Sequence, residues 1–438
     1  MWQTVGGGMN YEVRDLYEDT IANKLYVVGG FAYAGDSIVN QIATWDGNTW
    51  NNVGHGTGDT SCVYACDPLL SVIRYQNNIY ASGYVRMMGG NQSIKNLAKW
   101  DGVSWSGLGN PNVDVRLFVA NDSLFATGVF DTINNQYVQP ITKWNGTVFE
   151  AFGAPLPFVS NLNSVLTCTY YHNQYYFSGK FSFPGGKKEI MRWDGSQWLP
   201  LGNGILGNNA WAGSVVEYNN LLYVGGLFSQ NDGNTGNNIM TWDGTTWRDA
   251  FPGVDFSSFG IRYLKVYKNK LYISAIFTMA GYPGFHYLGV YDGTNFCAFG
   301  GSDITQQEDL SIALAGFRDT IYIANNRTFF GDSIKFIGKW MGGDSVDACL
   351  TIIQNVNELS ANNADIKISP NPATNEIKIE SKMQNAEIEI RDVLGQMVYS
   401  TKAIAASFTI DVSMLSKGVY FISLQNGKQT INKKLVKE

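Results

Sequence analysis

The sequence predicts an all-β protein: a seven-bladed β-propeller whose N-terminal strand closes the last blade, followed by a small Ig-like β-sandwich. Three observations predict it. An aromatic-Asp/Asn-Gly motif, with Met341 in place of the Asp in the last unit, recurs at intervals near 49 residues. A second aromatic marker runs in phase with it. All 12 tryptophans lie before Gly342, so the composition breaks toward the C-terminus.

The first marker has its aromatic at Trp45, Trp100, Trp144, Trp193, Trp242, Tyr291 and Trp340. A second aromatic follows five residues later at Trp50, Trp105, Phe149, Trp198, Trp247 and Phe296, and Ser345 breaks the pattern. The second marker is Tyr26, Tyr80, Phe125, Tyr176, Tyr223, Tyr272 and Tyr322. A small residue stands three positions on, at Gly29, Gly83, Gly128, Gly179, Gly226 and Ala275, with Asn325 departing from it. Fixed-period self-similarity of this size is the signature of blades with four strands each.

In the first unit Arg14–Glu18, Lys24–Phe31, Gln41–Trp45 and Thr49–Val53 read as the four strands. Asp46-Gly47 is the turn between the last two, because Asp-Gly between apolar runs favours a tight hairpin. The last unit lacks a fourth aromatic strand. Met1–Val5 offers one through Trp2, which leaves no open edges. Recurrent Trp and Tyr are read as blade-to-blade packing, since a feature required in every unit is architectural.

Composition narrows the function classes. Gly (48), Tyr (24) and Phe (24) are abundant and charged residues are sparse, which suits strands and turns. No apolar run is long enough for a membrane helix. Residues 366–438 carry 10 Lys+Arg and 7 Asp+Glu, a net of +3, so the remainder is 21 minus 30, or −9. That acidic balance argues against a nucleic-acid partner. The five cysteines, Cys62, Cys66, Cys168, Cys297 and Cys349, follow no zinc spacing. Cys62 and Cys66 share a loop and could pair, and Cys168 reads as a buried thiol. No signal peptide precedes Trp2, so the chain reads as processed rather than cytosolic.

The unit Leu222–Phe228 with Asn238–Trp247 resembles the repeats of fungal cortical cell-polarity marker proteins, kelch-like in size, and of bacterial surface propellers. The resemblance covers residues 1–342 and implies a fold, not a ligand. Residues 343–365 read as a linker. Short alternating strands over 366–438 indicate a small β-sandwich. Its motifs include Pro370-Asn371-Pro372, Asp392 with Gly395, Leu415, Gly418-Val419-Tyr420 and the terminal Lys434-Leu435-Val436-Lys437. These resemble the type A sorting domain of the type IX secretion system. The resemblance implies export to the outer cell surface or secretion, with a translocon and a sortase-like peptidase as partners. It also implies cleavage within about 344–365 and optional attachment to an anionic lipopolysaccharide. Asp-Ser/Thr-aliphatic triplets at Asp19, Asp36, Asp122, Asp131, Asp319, Asp332 and Asp344 resemble bacterial O-glycosylation acceptors, although a turn entering a strand explains most of them.

Chemical motifs are few. Gly185-Gly186-Lys187-Lys188 lacks the remaining residues of a phosphate loop, and Asn231-Asp232-Gly233-Asn234 lacks the closing Glu of a calcium loop. His55 and His286 are expected in loops of one face and His172 on the other, so they form no common metal site. No metal or cofactor is expected. Tyr33, Phe183, Trp211, Tyr282, Phe285 and Tyr287 are face-loop aromatics that do not repeat in every unit, and Asn208-Asn209 and Asn237-Asn238 accompany them. Flat apolar rings beside amides suit sugars. The expectation is a non-catalytic surface module for binding or adhesion that takes glycan or protein. A polysaccharide lyase or hydrolase and a structural surface protein are the alternatives, since fold alone does not choose.

Overall fold

The computed structural model describes the chain except residues 60–66, 114, 157–163, 184–185, 188, 257–258, 262, 301–312, 329–332, 353–365, 382–385, 393–395, 404–406 and 426–429. It divides into Met1–Ile352 and Ile353–Glu438. Among the described residues it is all-β, with one short 3₁₀ turn at Gln230–Asp232.

The first unit has a β-propeller-like fold of successive antiparallel sheets. Sheet one orders Val13–Asp19, Lys24–Gly29, Ile42–Trp45 and Trp50–Asn52. Sheet two orders Leu69–Tyr75, Asn78–Gly83, Leu97–Trp100 and Trp105–Gly107, and sheet three Val115–Ala120, Ser123–Gly128, Ile141–Trp144 and Phe149–Ala151. Sheets four and five repeat the plan from Ser164–Tyr171 to Trp198–Pro200 and from Trp211–Tyr218 to Trp247–Asp249. Sheet six pairs Tyr263–Tyr267, Lys270–Met279, Tyr282–Tyr291 and Asn295–Ala298, and adds Val254–Phe256 and Ala348–Thr351. Sheet seven orders Ala313–Phe317, Thr320–Ala324, Ile337–Trp340 and, from the far end of the chain, Trp2–Thr4. The first strands of neighbouring sheets touch in sequence order, and that of sheet seven touches Val13–Asp19 of sheet one.

The markers are explained by these contacts. The two motif aromatics face each other across the last strand pair, with centroids 4.9 Å apart for Trp45 and Trp50 and 5.0 Å for Trp242 and Trp247. Where the second aromatic is Trp, its indole also donates to the backbone of the preceding link. Trp105 Nε1 reaches the Val53 carbonyl (3.2 Å), Trp247 that of Leu201 (3.1 Å) and Trp2 that of Gly300 (2.9 Å). The motif Asp is a turn former: Asp194 Oδ1 accepts from the N–H groups of Ser196 and Gln197, and those bonds hold its carboxyl down at about 2. The marker glycine is required by close approach. A Cβ at Gly226 would sit 2.0 Å from the Trp211 carbonyl oxygen, and one at Gly179 would sit 1.9 Å from that of Ser164.

On the side of the strand one-to-two turns, polar contacts cross every junction in turn. They are Asp19–Arg74, Tyr75 Oη to the Asp122 carbonyl, Ser123–Tyr175, His172–Asn220, Tyr218 Oη to the Asn269 carbonyl, Lys268–Asp319 and Arg318–Asn23.

Two features depart from the sequence reading. Ala348–Thr351, inside the expected linker, is a strand on the edge of sheet six, and Cys349 is disulfide-bonded there to Cys297. Neither cysteine stood out by spacing, because 52 residues separate them and register alone brings them together. Cys62 and Cys66 lie outside the described residues. Cys168 is buried, and burial pushes its thiol far up.

The C-terminal unit packs two sheets on one apolar cluster. One contains Ile366–Ser369, Glu376–Ser381 and Ser407–Asp411, and the other Met397–Ala403, Ala386–Asp392, Gly418–Gln425 and Thr430–Lys437. Strict alternation of buried and exposed residues in Glu376–Ser381 points Ile377 and Ile379 into that cluster, opposite Ile388, Ile390, Ile422 and Leu435.

Candidate ligand clefts and the sorting motif

The face that carries the strand two-to-three loops is built by a repeated amide tie. The residue before the third strand adopts a positive φ (Gln41 74°, Asn96 59°, Asn238 62°) and spends its side chain on backbone. Asn96 Oδ1 accepts from Val85 N–H (2.9 Å) and Nδ2 donates to the Pro111 carbonyl (3.1 Å). Asn238 does the same between Phe228 N–H (2.9 Å) and the Phe256 carbonyl (3.1 Å). Asn238, read from sequence as a ligand-facing amide, is thus buried and saturated.

In sheets one, three and four the following loop closes into a small hairpin, such as Tyr33–Ala34 with Ser37–Ile38. In sheet two the turn is held by the single bridge Met88–Asn91, and in sheet five no such pair forms among the described residues; a cleft lies beside each. The cleft of repeat two, about 600 Å³, is lined by Tyr84, Arg86, Asp67, Gln92, Lys95 and Asn112 among others. Tyr84 is 50% exposed, and Arg86 Nε lies 3.7 Å from the Asp67 carboxylate. Asn112 is committed elsewhere: it bonds Asp131 and the N–H groups of Asp131 and Thr132. The cleft of repeat five, about 430 Å³, is lined by Asn209, Leu227, Phe228, Asn231, Asp232 and Asp255 among others.

Of the six aromatics singled out from sequence, Tyr33, Trp211, Tyr282, Phe285 and Tyr287 line neither cleft, and the Phe183 side chain lies outside the described residues. Tyr33 and Phe183 sit on the small hairpins of repeats one and four. Trp211 opens sheet five and lies half-buried over Gly213, where a Cβ would meet its ring at 2.1 Å. Tyr282 and Phe285 are exposed on the long hairpin of sheet six, but Tyr287 on the same strand is buried. His286 belongs to that strand rather than to a loop: the hairpin extends to 10 residues per arm, and the imidazole is buried against Phe277.

Tyr84 was missed, although the sequence carries a signal for it. After the marker glycine the next two residues alternate out and in. The inward ones, Phe31, Val85, Phe130, Phe181 and Phe228, are buried. The outward ones that are not buried are Tyr84, Val129, Lys180 and Leu227, and Tyr84 is the aromatic among them.

A charged group lies on the first strands. Asp15 accepts from Leu16 N–H (2.9 Å) and from Val72 N–H of sheet two (3.1 Å). Ser71 and Ser214 make the equivalent tie to Leu117 and Leu264. Desolvation raises the Asp15 carboxyl to about 6, against those bonds and the charges of Arg116 and Lys265. Tyr263 Oη reaches across from sheet six to the Arg14 carbonyl (3.4 Å), and Arg14 is paired with Glu12 (2.7 Å).

Of the hydroxyls in the Asp-Ser/Thr triplets, those of Thr20, Ser333 and Ser345 belong to exposed residues, whereas Ser123 is buried. Asp332 lies outside the described residues.

In the C-terminal unit the two ends of the motif meet. The Asn371 amide accepts from Val436 N–H and donates to the Lys434 carbonyl, both at 2.8 Å. Pro370 and Pro372 flank it in cis peptides. Asp392 caps Gln396 N–H (2.9 Å) and pairs in register with Tyr420, whose hydroxyl donates to the Ser416 carbonyl (2.8 Å). Leu435 is fully buried and Leu415 packs on the same cluster, while Gly418 opens the strand that carries Tyr420. Lys434 is exposed and Lys437 is largely buried. Gly395 lies outside the described residues. Much of the motif therefore builds the fold of this unit.

No curated protein matches the chain. Among solved structures it is similar to PorZ, a surface component of the type-IX secretion system of Porphyromonas gingivalis, at 13% identity over all of this chain and 60% of that one (TM-score 0.42). This chain thus spans about 60% of that protein's length. The β-propeller domain of the Trilobed protease from Pyrococcus furiosus is similar at 11% identity over 78% of this chain and 97% of that one (TM-score 0.44). A sialidase from Trypanosoma rangeli is similar at 13% identity over 76% and 55% (TM-score 0.33). No helix of the described residues is long and apolar enough to cross a membrane. Residues 367–438 match the family described as Secretion system C-terminal sorting domain, so the chain carries a sorting tail of the type IX system that directs it to the cell surface or to secretion.

Proposed function

We propose that this exported chain is a seven-bladed β-propeller with an Ig-like sorting domain, and that the propeller is a non-catalytic module that binds glycan at the cell surface. The repeat-two cleft carries this reading. It sets the exposed ring of Tyr84 among Arg86, Gln92 and Lys95 as donors and Asp67 as acceptor. A sugar presents an apolar face to such a ring and hydroxyls, each a donor and an acceptor, to such a rim. The seven sheets, the contact from the last back to the first and the Trp2 strand support the blade count.

The test is a glycan array probed with the full chain and with Tyr84→Ala. The expected result is binding to a restricted set of glycans that the variant loses while keeping its melting temperature. Equal binding by the variant moves the site elsewhere, and no binding to any glycan rejects the reading in favour of a protein partner.

A further inference from the structure

The two clefts occupy equivalent positions in their repeats. Aligned on the marker glycines Gly83 and Gly226, Tyr84 corresponds to Leu227, Val85 to Phe228 and Arg86 to Ser229, while Asn96 and Asn238 each stand immediately before the third strand of their sheet. The amide tie that floors each cleft is the same, and it reaches Pro111 in one and Phe256 in the other. Both clefts follow the second strand of their sheet, so they open on one face. Sheets two and five are three steps apart in the order of first-strand contacts. Packed sheets stand about 10 Å apart, so three steps around a ring of seven put the clefts roughly 20–30 Å from one another.

The chemistry of the two sites is complementary to one class of ligand. The repeat-five cleft has the buried Phe228 and Phe256 beneath exposed Asn209, Asn231, Asp232 and Asp255. Its carboxylates oppose a polyanion, and the residues outside the sorting domain are acidic as a whole. Arg86 and Lys95 of repeat two oppose a polycation. A neutral, hydroxyl-rich chain meets donors and acceptors in both without a charge penalty. A monosaccharide cannot reach from one cleft to the other, whereas an extended chain held at one is presented to the second at high effective concentration.

We infer that the loop face binds a neutral polysaccharide in extended form, gripping it at the Tyr84 cleft and at the Asp232–Asp255 cleft together. This rests on the glycan reading of the Tyr84 cleft and adds a second contact and a ligand class.

The experiment is calorimetric titration of the full chain with gluco-, manno- and xylo-oligosaccharides graded from two to ten residues. One series is expected to bind, with affinity rising about tenfold or more once the chain is long enough to span both clefts. Asp255→Ala, an exposed position, is expected to abolish that rise, and Tyr84→Ala to abolish binding of the short members. Affinity independent of length, or a rise that survives Asp255→Ala, overturns the two-cleft inference and leaves the single-cleft reading standing. Binding of charged glycans alone on the array overturns the neutral-ligand assignment. Failure of every glycan overturns both readings.

Discussion

The indole of Trp2 packs on that of Trp340 with centroids 5.2 Å apart, and the two residues are directly opposed partners in sheet seven. They reproduce the pair that Trp45 and Trp50 form within a single repeat. The N-terminus thus supplies the missing fourth strand, and the link that follows it continues the tie, since Trp50 Nε1 donates to the Val5 and Gly6 carbonyls. Trp2→Ala should therefore cost about 3–5 kcal/mol in urea unfolding, the range for a buried aromatic. A loss below about 1 kcal/mol would mean that the strand is a passive cover.

Asp19 is wholly buried and meets Arg74 Nε at 2.8 Å across the junction of sheets one and two. It also accepts from Ile21 and Ala22 N–H at 3.1 Å. Removing it strands the Arg74 guanidinium, whose side chain is only 15% exposed. Asp19→Ala should destabilise by roughly 3–5 kcal/mol, and Asp19→Ala with Arg74→Met by less than the sum of the singles. Additive losses would show that the pair does not act as a unit.

The Cys297–Cys349 bond encloses most of sheet seven. Chain-entropy reasoning for a loop of this length gives about 4 kcal/mol. Cys297→Ser should lower stability by that order and expose Thr351 and Ile352 to early proteolysis. Cys168 should resist alkylation until the protein unfolds, because it is buried and its thiol is pushed up. Peptide-level mass spectrometry reads both, and rapid labelling of native Cys168 would contradict its placement.

Asp15 gives a pH signature. Its folded value of about 6 lies above the unfolded carboxylate value near 4. The protonated form therefore favours the folded state: its contribution is complete below about pH 4 and is lost as the pH rises through about 6. Asp15→Ser, which restores the tie made by Ser71 and Ser214, should remove that loss and raise stability at pH 7 by about 2–3 kcal/mol. An unchanged stability profile between pH 4 and 7 would contradict the dry setting of this carboxyl.

The repeat, its strands and the sorting tail were legible because they are periodic or motif-bound: each Trp-Asp-Gly turn repeats the same local physics. What is not periodic was not legible. Cys297 and Cys349 meet only through strand register, and Ala348–Thr351 lacks the repeat phase that would have marked it as a strand. The face aromatics were chosen for being irregular in sequence, a property that Tyr287 shares although it is buried. Tyr84 became visible only once the in–out alternation after Gly83 was placed on a strand end. Asn238 looked like a free amide, yet it serves the backbone.

The most direct measurement is NMR of the full chain with labelled tyrosine rings, titrated with the glycan that the array selects. The Tyr84 resonance, assigned with Tyr84→Phe, should shift on saturation while that of buried Tyr223 stays in place. Saturation without any shift at Tyr84 would contradict the assignment of the repeat-two cleft as the glycan site.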